Sequence, residues 1–173
     1  MVNDILDLSA IEAGEQPLAK ENLSVNDVVA DCSPIIVETA GRKSIGYMLD
    51  VPDDLPPLLA DPRALRQIML NILSNAIKFT PGGGRIRLAA AASNGRLTIK
   101  VSDTGIGISA DDLPNLTNPF KRAEPDPFKS QEGTGLGLAI VKALVDLHDG
   151  NLLIESELGR GTTVTVTLPS GAP

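Results

Sequence analysis

The stretch DPRALRQIMLNILSNAIKFT, Asp61 to Thr80, decides how the rest of the chain is read. Asp61 can cap the free amides of a first helical turn, and Pro62 falls where a missing N–H costs nothing. From Leu65, apolar side chains recur at Ile68, Met69, Ile72, Leu73 and Ala76, which builds a helix with one core-facing stripe. At about 100° per residue, Asn71, Asn75 and Lys78 fall within about 60° of one another on the flank of that stripe. Asparagine inside a helix costs about 0.5 kcal/mol relative to alanine. Two readings of this edge stand. It is a solvated flank, or it offers carboxamide oxygens to a hard cation and an ammonium to an anion, as a metal-bound polyphosphate requires.

The 173 residues suffice for one well-filled core with a short appendage, so a single domain is expected. With 42% hydrophobic and 21% charged residues the chain is neither disordered nor membrane-spanning. Acidic residues number 22 against 15 basic, for a net charge of -7, and no Lys/Arg block is present to track a nucleic-acid backbone. Nucleic acid is therefore not an expected partner, and an anionic ligand must be met by local positive groups working against the overall field. The lone Cys32 permits neither an intrachain disulfide nor a multi-cysteine metal site; it suits a reducing compartment and reads as a small core residue. After Met1 comes a helical pattern, VNDILDLSAIEAG, with Val2, Ile5, Leu6 and Ala13 on one face and Gly14 placed to end it. That stripe needs a partner helix to cover it.

Glu21 to Val25 suits a short strand, and Ser24 with Asp27 suits a capping arrangement for a helix over about Val25 to Arg42, kinked or delayed by Pro34. Ser44 to Val51 alternates as a strand does, and PDDLPP at 52 to 57 is a rigid turn. Gly82 to Gly84 force a reversal, after which Arg85 to Ala92 and Leu97 to Asp103 form an antiparallel hairpin. Ala110 to Leu116 suits a short helix. NPFKRAEPDPFKSQE, 118 to 132, has three prolines and mixed charge and is expected to be a functional or mobile loop. GTGLGLAIVKALVDLH then starts a second buried helix, with Leu136, Ile140, Ala143, Leu144 and Leu147 on one face, ended by Gly150. Asn151 to Ser156 and Thr162 to Leu168 read as a closing hairpin across ELGRG. The expected fold is an α/β sandwich of the α+β type, with helices layered on one face of a mixed, mostly antiparallel sheet.

DTGIGI, 103 to 108, puts a carboxylate at a strand end, followed by glycines that let backbone approach a ligand. That carboxylate can accept from an exocyclic amine; a plain Asp-x-Gly turn is the other reading. GTGLGL, 133 to 138, puts glycines at the start of a helix, where free N–H groups and the dipole favour an anion, unless the glycines serve only close packing. It matches neither a Walker A loop nor a dinucleotide fingerprint.

In order, the Asn-x-x-x-Asn-Ala helix, DTGIGI, NPF with its loop, GTGLGLAIVK and GRGT resemble the ATP-binding domain of sensor histidine kinases, over about Leu23 to Leu168. LDLSAIEAG, 6 to 14, resembles the end of the second helix of that family's dimerisation and phosphoacceptor domain. The resemblance implies the two-layer sandwich shared with gyrase, Hsp90 and MutL ATPase domains, with ATP and Mg²⁺ as cofactors. It implies a division into 1–14, the end of the phosphoacceptor helix; 15–22, a linker; 23–168, the catalytic domain; and 169–173, a tail. Asn71 and Asn75 would form the N box, Asn75 being the stronger candidate for Mg²⁺ and Asn71 the second, with Lys78 on phosphate. Asp103 would take the adenine amino group, and Gly105 and Gly107 would shape its pocket. Phe120 would anchor the F box, with Lys121, Arg122 and Lys129 as further phosphate contacts. Gly133, Thr134, Gly135, Leu136 and Gly137 would close over the phosphates. The implied partners are the phosphoacceptor histidine domain of the parent chain, its dimer partner and a downstream response regulator. The module would lie in the cytoplasm, whether or not its parent is membrane-anchored.

Two departures matter. Hydrolytic relatives carry a water-activating glutamate where this chain has Asn71, so fast hydrolysis is not expected. The only histidine, His148, is near a helix C-terminus, where a protonated ring would suit the dipole, and it reads as structural rather than as the phosphoacceptor. A degenerate nucleotide-sensing interaction module and a stand-alone ATPase are the alternative readings, the latter opposed by Asn71.

Overall fold

The computed structural model describes residues 9–10, 17–119 and 135–170. Three helices carry most of the buried apolar surface: α1 (Val25–Arg42), α2 (Pro62–Phe79) and α3 (Gly137–Leu147). The middle one, α2, packs against both others. It starts where the sequence places it, with Asp61 Oδ1 accepting from the amides of Arg63 at 2.9 Å and Ala64 at 3.2 Å. Its buried face is Ala64, Leu65, Ile68, Met69, Ile72, Leu73, Ala76 and Ile77. Its far end is closed by Lys43, whose ammonium donates to the carbonyls of Ile77 (2.6 Å), Lys78 (3.1 Å) and Thr80 (3.2 Å). A cation on the last carbonyls suits the negative end of the helix.

The helices lie on one face of a five-stranded sheet ordered β2 (Gly46–Asp50), β4 (Arg85–Ser93), β5 (Arg96–Asp103), β7 (Gly161–Pro169), β6 (Asn151–Glu157). Only the β2–β4 pair is parallel. Ile86, Leu88 and Ala90 of β4, Leu97, Ile99 and Val101 of β5, and Val164, Val166 and Leu168 of β7 point into the helical layer and are buried. The alternate residues, among them Arg87, Lys100 and Thr165, form the other, more polar face. Asn94 and Gly95, with φ of 52° and 69°, make the tight β4–β5 turn, which needs left-handed backbone at both central positions. A separate pair, β1 (Glu21–Leu23) with β3 (Leu58–Ala60), is antiparallel. The expected fold class is borne out. No helix among the described residues is long and apolar enough to cross a membrane.

Local expectations are corrected at several points. Pro34 does not delay α1, which runs through it from Val25 to Arg42, because Val28, Val29, Cys32, Ile36 and Ala40 anchor both halves of the helix in the core. Ser24 holds the N-cap position, yet its side chain makes no capping bond. The strand β3 follows the proline-rich turn directly and is too short to announce itself by alternation. The expected helix at 110 to 116 is a single 3-10 turn, Leu113–Asn115. Cys32 is buried as expected, and burial pushes its thiol up. Of the expected N-terminal helix only Ser9 and Ala10 are described, both helical.

Candidate functional site

Asn71 and Asn75 are half-buried on one flank of α2, and the structure brings the start of α3 onto them. A β-carbon added to Gly137 would lie 3.7 Å from Asn75 Nδ2 and 3.9 Å from Asn71 Oδ1. The start of α3 thus lies within ordinary contact distance of both carboxamides. The Nδ2 of Asn71 is buried and has no hydrogen-bond partner among the described residues. Leu136 takes the N-cap position, wholly buried, and supplies no side-chain cap; Gly135 before it has a φ of 71°. The first turn of α3 therefore starts beside the two carboxamides with no side-chain cap of its own. Lys78 is one turn further along α2, half-buried, with its ammonium 5.0 Å from the Phe79 ring centroid.

The loop after β5 is pinned to the end of α2. Ile106 N–H donates to the Phe79 carbonyl at 3.1 Å, and a β-carbon on Gly105 would come within 2.6 Å of that same oxygen. Asp103 is half-buried, and its Oδ1 accepts from the amides of Gly105 at 2.8 Å and Thr162 at 3.2 Å. Its Oδ2 has no hydrogen-bond partner among the described residues. Burial raises the Asp103 carboxyl above the usual range, against the pull of the Gly105 and Thr162 amides. The β6–β7 turn is locked under this loop: Gly159 N–H donates to the Ile106 carbonyl at 2.8 Å, and Ile108 N–H to Ser156 Oγ at 2.8 Å. Gly107 and Gly161, with φ of 71° and 106°, allow that approach; a β-carbon on Gly107 would lie 2.7 Å from the Glu157 carbonyl carbon.

The structure thus places Asn71, Asn75 and Gly137 together, puts Lys78 one turn along, and joins the Asp103–Gly107 loop to the same helix end. Phe120, Lys121, Arg122, Lys129, Gly133 and Thr134, and most of the expected loop, lie outside the described residues. Sequence reasoning missed the Thr162 amide as the second support of Asp103; the glycine before it, in GRGT, was the available signal. A groove of about 720 Å³ runs between α1 and α2, with Ile35, Thr39, Leu70 and Ile77 in its walls and Asn71 and Lys78 at its edge. Asp103 is not among its walls. His148 is 2% exposed, and its Nε2 accepts the Asp61 N–H at 3.1 Å, which fixes a neutral ring and not the protonated one that would suit the helix end.

Residues 60–172 match the family described as "Histidine kinase-, DNA gyrase B-, and HSP90-like ATPase". The chain is 43% identical over 173 residues to the "Non-motile and phage-resistance protein" of Caulobacter vibrioides, covering 98% of this chain and 20% of that one. It is 42% identical over 172 residues to "Histidine protein kinase DivJ" of the same organism, covering 98% of this chain and 28% of that protein. Among solved structures, "ShkA full-length in complex with AMPPNP" superposes with a TM-score of 0.86 at 31% identity, over 99% of this chain and 36% of the other. The chain thus spans about a fifth to a third of the length of these relatives. It belongs to the histidine kinase-, DNA gyrase B- and HSP90-like ATPase family.

Proposed function

We propose that this chain binds Mg-ATP between α2 and α3 and presents the γ-phosphoryl group to a histidine outside it. The observation that carries the reading is the meeting of the α3 start with the two carboxamides of α2, with the Asp103 loop pinned to the end of the same helix. A relative of like fold is described in complex with AMPPNP. The buried carboxamide nitrogen of Asn71, without a hydrogen-bond partner among the described residues, suits an anion's oxygen. Mg²⁺ takes one or two protein oxygens and the rest from phosphate and water, so it needs no larger cluster of protein ligands. When bound, the ion neutralises phosphate charge.

In this reading Asn75 and Asn71 hold the cation, Lys78 and the amides at Gly135 to Gly137 hold phosphate oxygens, and Asp103 Oδ2 accepts the adenine amino group. Phe120, Lys121, Arg122, Gly133 and Thr134 belong to the covering segment. Transfer needs positioning and charge neutralisation more than covalent help, so no residue here acts as a nucleophile. With Asn71 in place of a carboxylate, water has no base and ATP is spared for the histidine. Residues 1–14 are the end of the phosphoacceptor helix, 15–22 the linker, 23–168 the catalytic domain and 169–173 a tail. The partners are the histidine-bearing segment of the parent, its dimer mate and a response regulator. Calorimetry on Asn75→Ala tests the site: Mg-ATP binding should weaken far more than binding of metal-free ATP. Equal losses under both conditions remove Asn75 from the cation. Labelled ATP should mark a separately supplied histidine-bearing fragment with acid-labile phosphate; label on this chain alone, lost in His148→Ala, overturns the mechanism.

A further inference from the structure

Asp61 stands where three segments cross. Its Oδ1 caps α2, its Oδ2 accepts the backbone N–H of Ala19 at 2.9 Å, and its own N–H donates to His148 Nε2 at 3.1 Å. Because Nε2 accepts, the other ring nitrogen carries the proton, and Nδ1 donates to the Leu144 carbonyl at 2.7 Å. The neutral ring is thus wedged between the end of α3 and the start of α2. The segment before β1 also reaches the turn that follows α3, through Lys20 Nζ and Asp149 at 3.5 Å. In addition β1 pairs with β3, whose last residue immediately precedes Asp61.

The two helices joined at this crossing are the two that face each other at Gly137 and the asparagine pair. The 11 residues of α3 make a rod about 16 Å long, so a tilt of about 4° at the His148 end carries Gly137 by about 1 Å. Mg²⁺ demands near-ideal octahedral geometry, and a displacement of that size spoils it. Resting on the nucleotide reading above, we infer that the Ala19–Asp61–His148 crossing couples the segment preceding Pro17 to the nucleotide site. Asp61 and His148 are positioning residues: tension on the linker acts on the start of α2 and the end of α3 together. Coupling of this kind is reciprocal, so nucleotide must also tighten the hold on Ala19.

Asp61→Asn keeps a capping oxygen for Arg63 and Ala64 and the N–H for His148, but turns an amide nitrogen toward Ala19. Ala19→Pro removes the same bond from the other side. The probe is AMPPNP with Mg²⁺, on the 173-residue chain, with amide exchange at Ala19 and affinity as readouts. Saturating AMPPNP should slow Ala19 exchange about fivefold or more in the unmodified chain, the low end of ordinary coupling between sites. Asp61→Asn should abolish that slowing and weaken AMPPNP about fivefold, Ala19→Pro should weaken it equally, and the double variant no further, because both cut one bond. Should one variant fail to fold, the other and the exchange measurement still decide. No AMPPNP binding by the unmodified chain removes the nucleotide reading and the coupling with it. Binding with Ala19 exchange unchanged, or additive losses in the double variant, overturns the coupling alone.

Discussion

Replacing Gly161 by alanine isolates the contact that holds the Asp103 loop in place. Gly161 has a φ of 106°, and a β-carbon there would fall well inside contact distance of the Asp103 carbonyl oxygen, 2.8 Å from its carbon and 3.0 Å from Thr104 Cα. Backbone strain of this kind costs about 1 to 2 kcal/mol, and overpacking against main chain adds about 1 to 3 kcal/mol. A total loss of about 2 to 5 kcal/mol is a large part of the usual 5 to 15 kcal/mol of a domain. Gly159 is the control: its φ is 77°, but a β-carbon there meets nothing within 4 Å. Gly159→Ala should therefore cost about 1 to 2 kcal/mol, the conformational part alone. Urea unfolding of both variants measures the difference, which is the steric contribution. The Gly161 variant should also bind nucleotide more weakly, since displacing residue 161 moves the Thr162 amide off Asp103. Equal stability losses in the two variants would refute the close approach on which this rests.

Lys43→Met should cost about 1 kcal/mol in urea unfolding, because three carbonyls at the end of α2 lose their donor, whereas Arg42→Ala, which breaks only an exposed pair with Glu38, should cost close to nothing. Asp103 and Asp61 should give opposite acid slopes. Asp103, raised by burial, binds its proton more readily folded than unfolded, so its contribution to stability falls as pH rises above about 4, and Asp103→Asn should remove that fall. For Asp61, burial raises and the Ala19, Ala64 and Arg63 amides lower, with a net lowering, so its contribution is present above about pH 4 and lost on further acidification; Asp61→Asn should flatten that loss. Unfolding curves across pH for each variant against the unmodified chain check both signs.

The elements that were legible in the sequence are those whose signal is local and repeated. The stripe from Leu65 to Ala76 fixed α2 and its cap, and Ser-Asn-Gly-Arg between two alternating runs fixed the β4–β5 hairpin to within a residue or so. What escaped depends on residues far apart in the chain. Lys43 closes a helix that ends more than thirty residues later, the β1–β3 pair joins two strands of three residues each, and Thr162 supports a carboxylate across the sheet. Pro34 misled because a local rule was overridden by burial on the opposite face of α1. His148 was legible as structural, but its partner, the backbone N–H of Asp61, carries no mark in the sequence.

The strand order has a consequence for how the molecule is made. β7, the last strand in sequence, lies between β5 and β6, so nothing can stand in for it when the sheet closes. A chain emerging from the ribosome at about 5 to 20 residues per second presents the apolar faces of α1 and α2 several seconds before β7 exists. Until Gly161 to Pro169 arrive, the β4–β5 hairpin has an open edge and the β6 residues have no strand to pair with. Cotranslational assembly of this unit is therefore a race between its final strand and any stray apolar surface that reaches those two helices first.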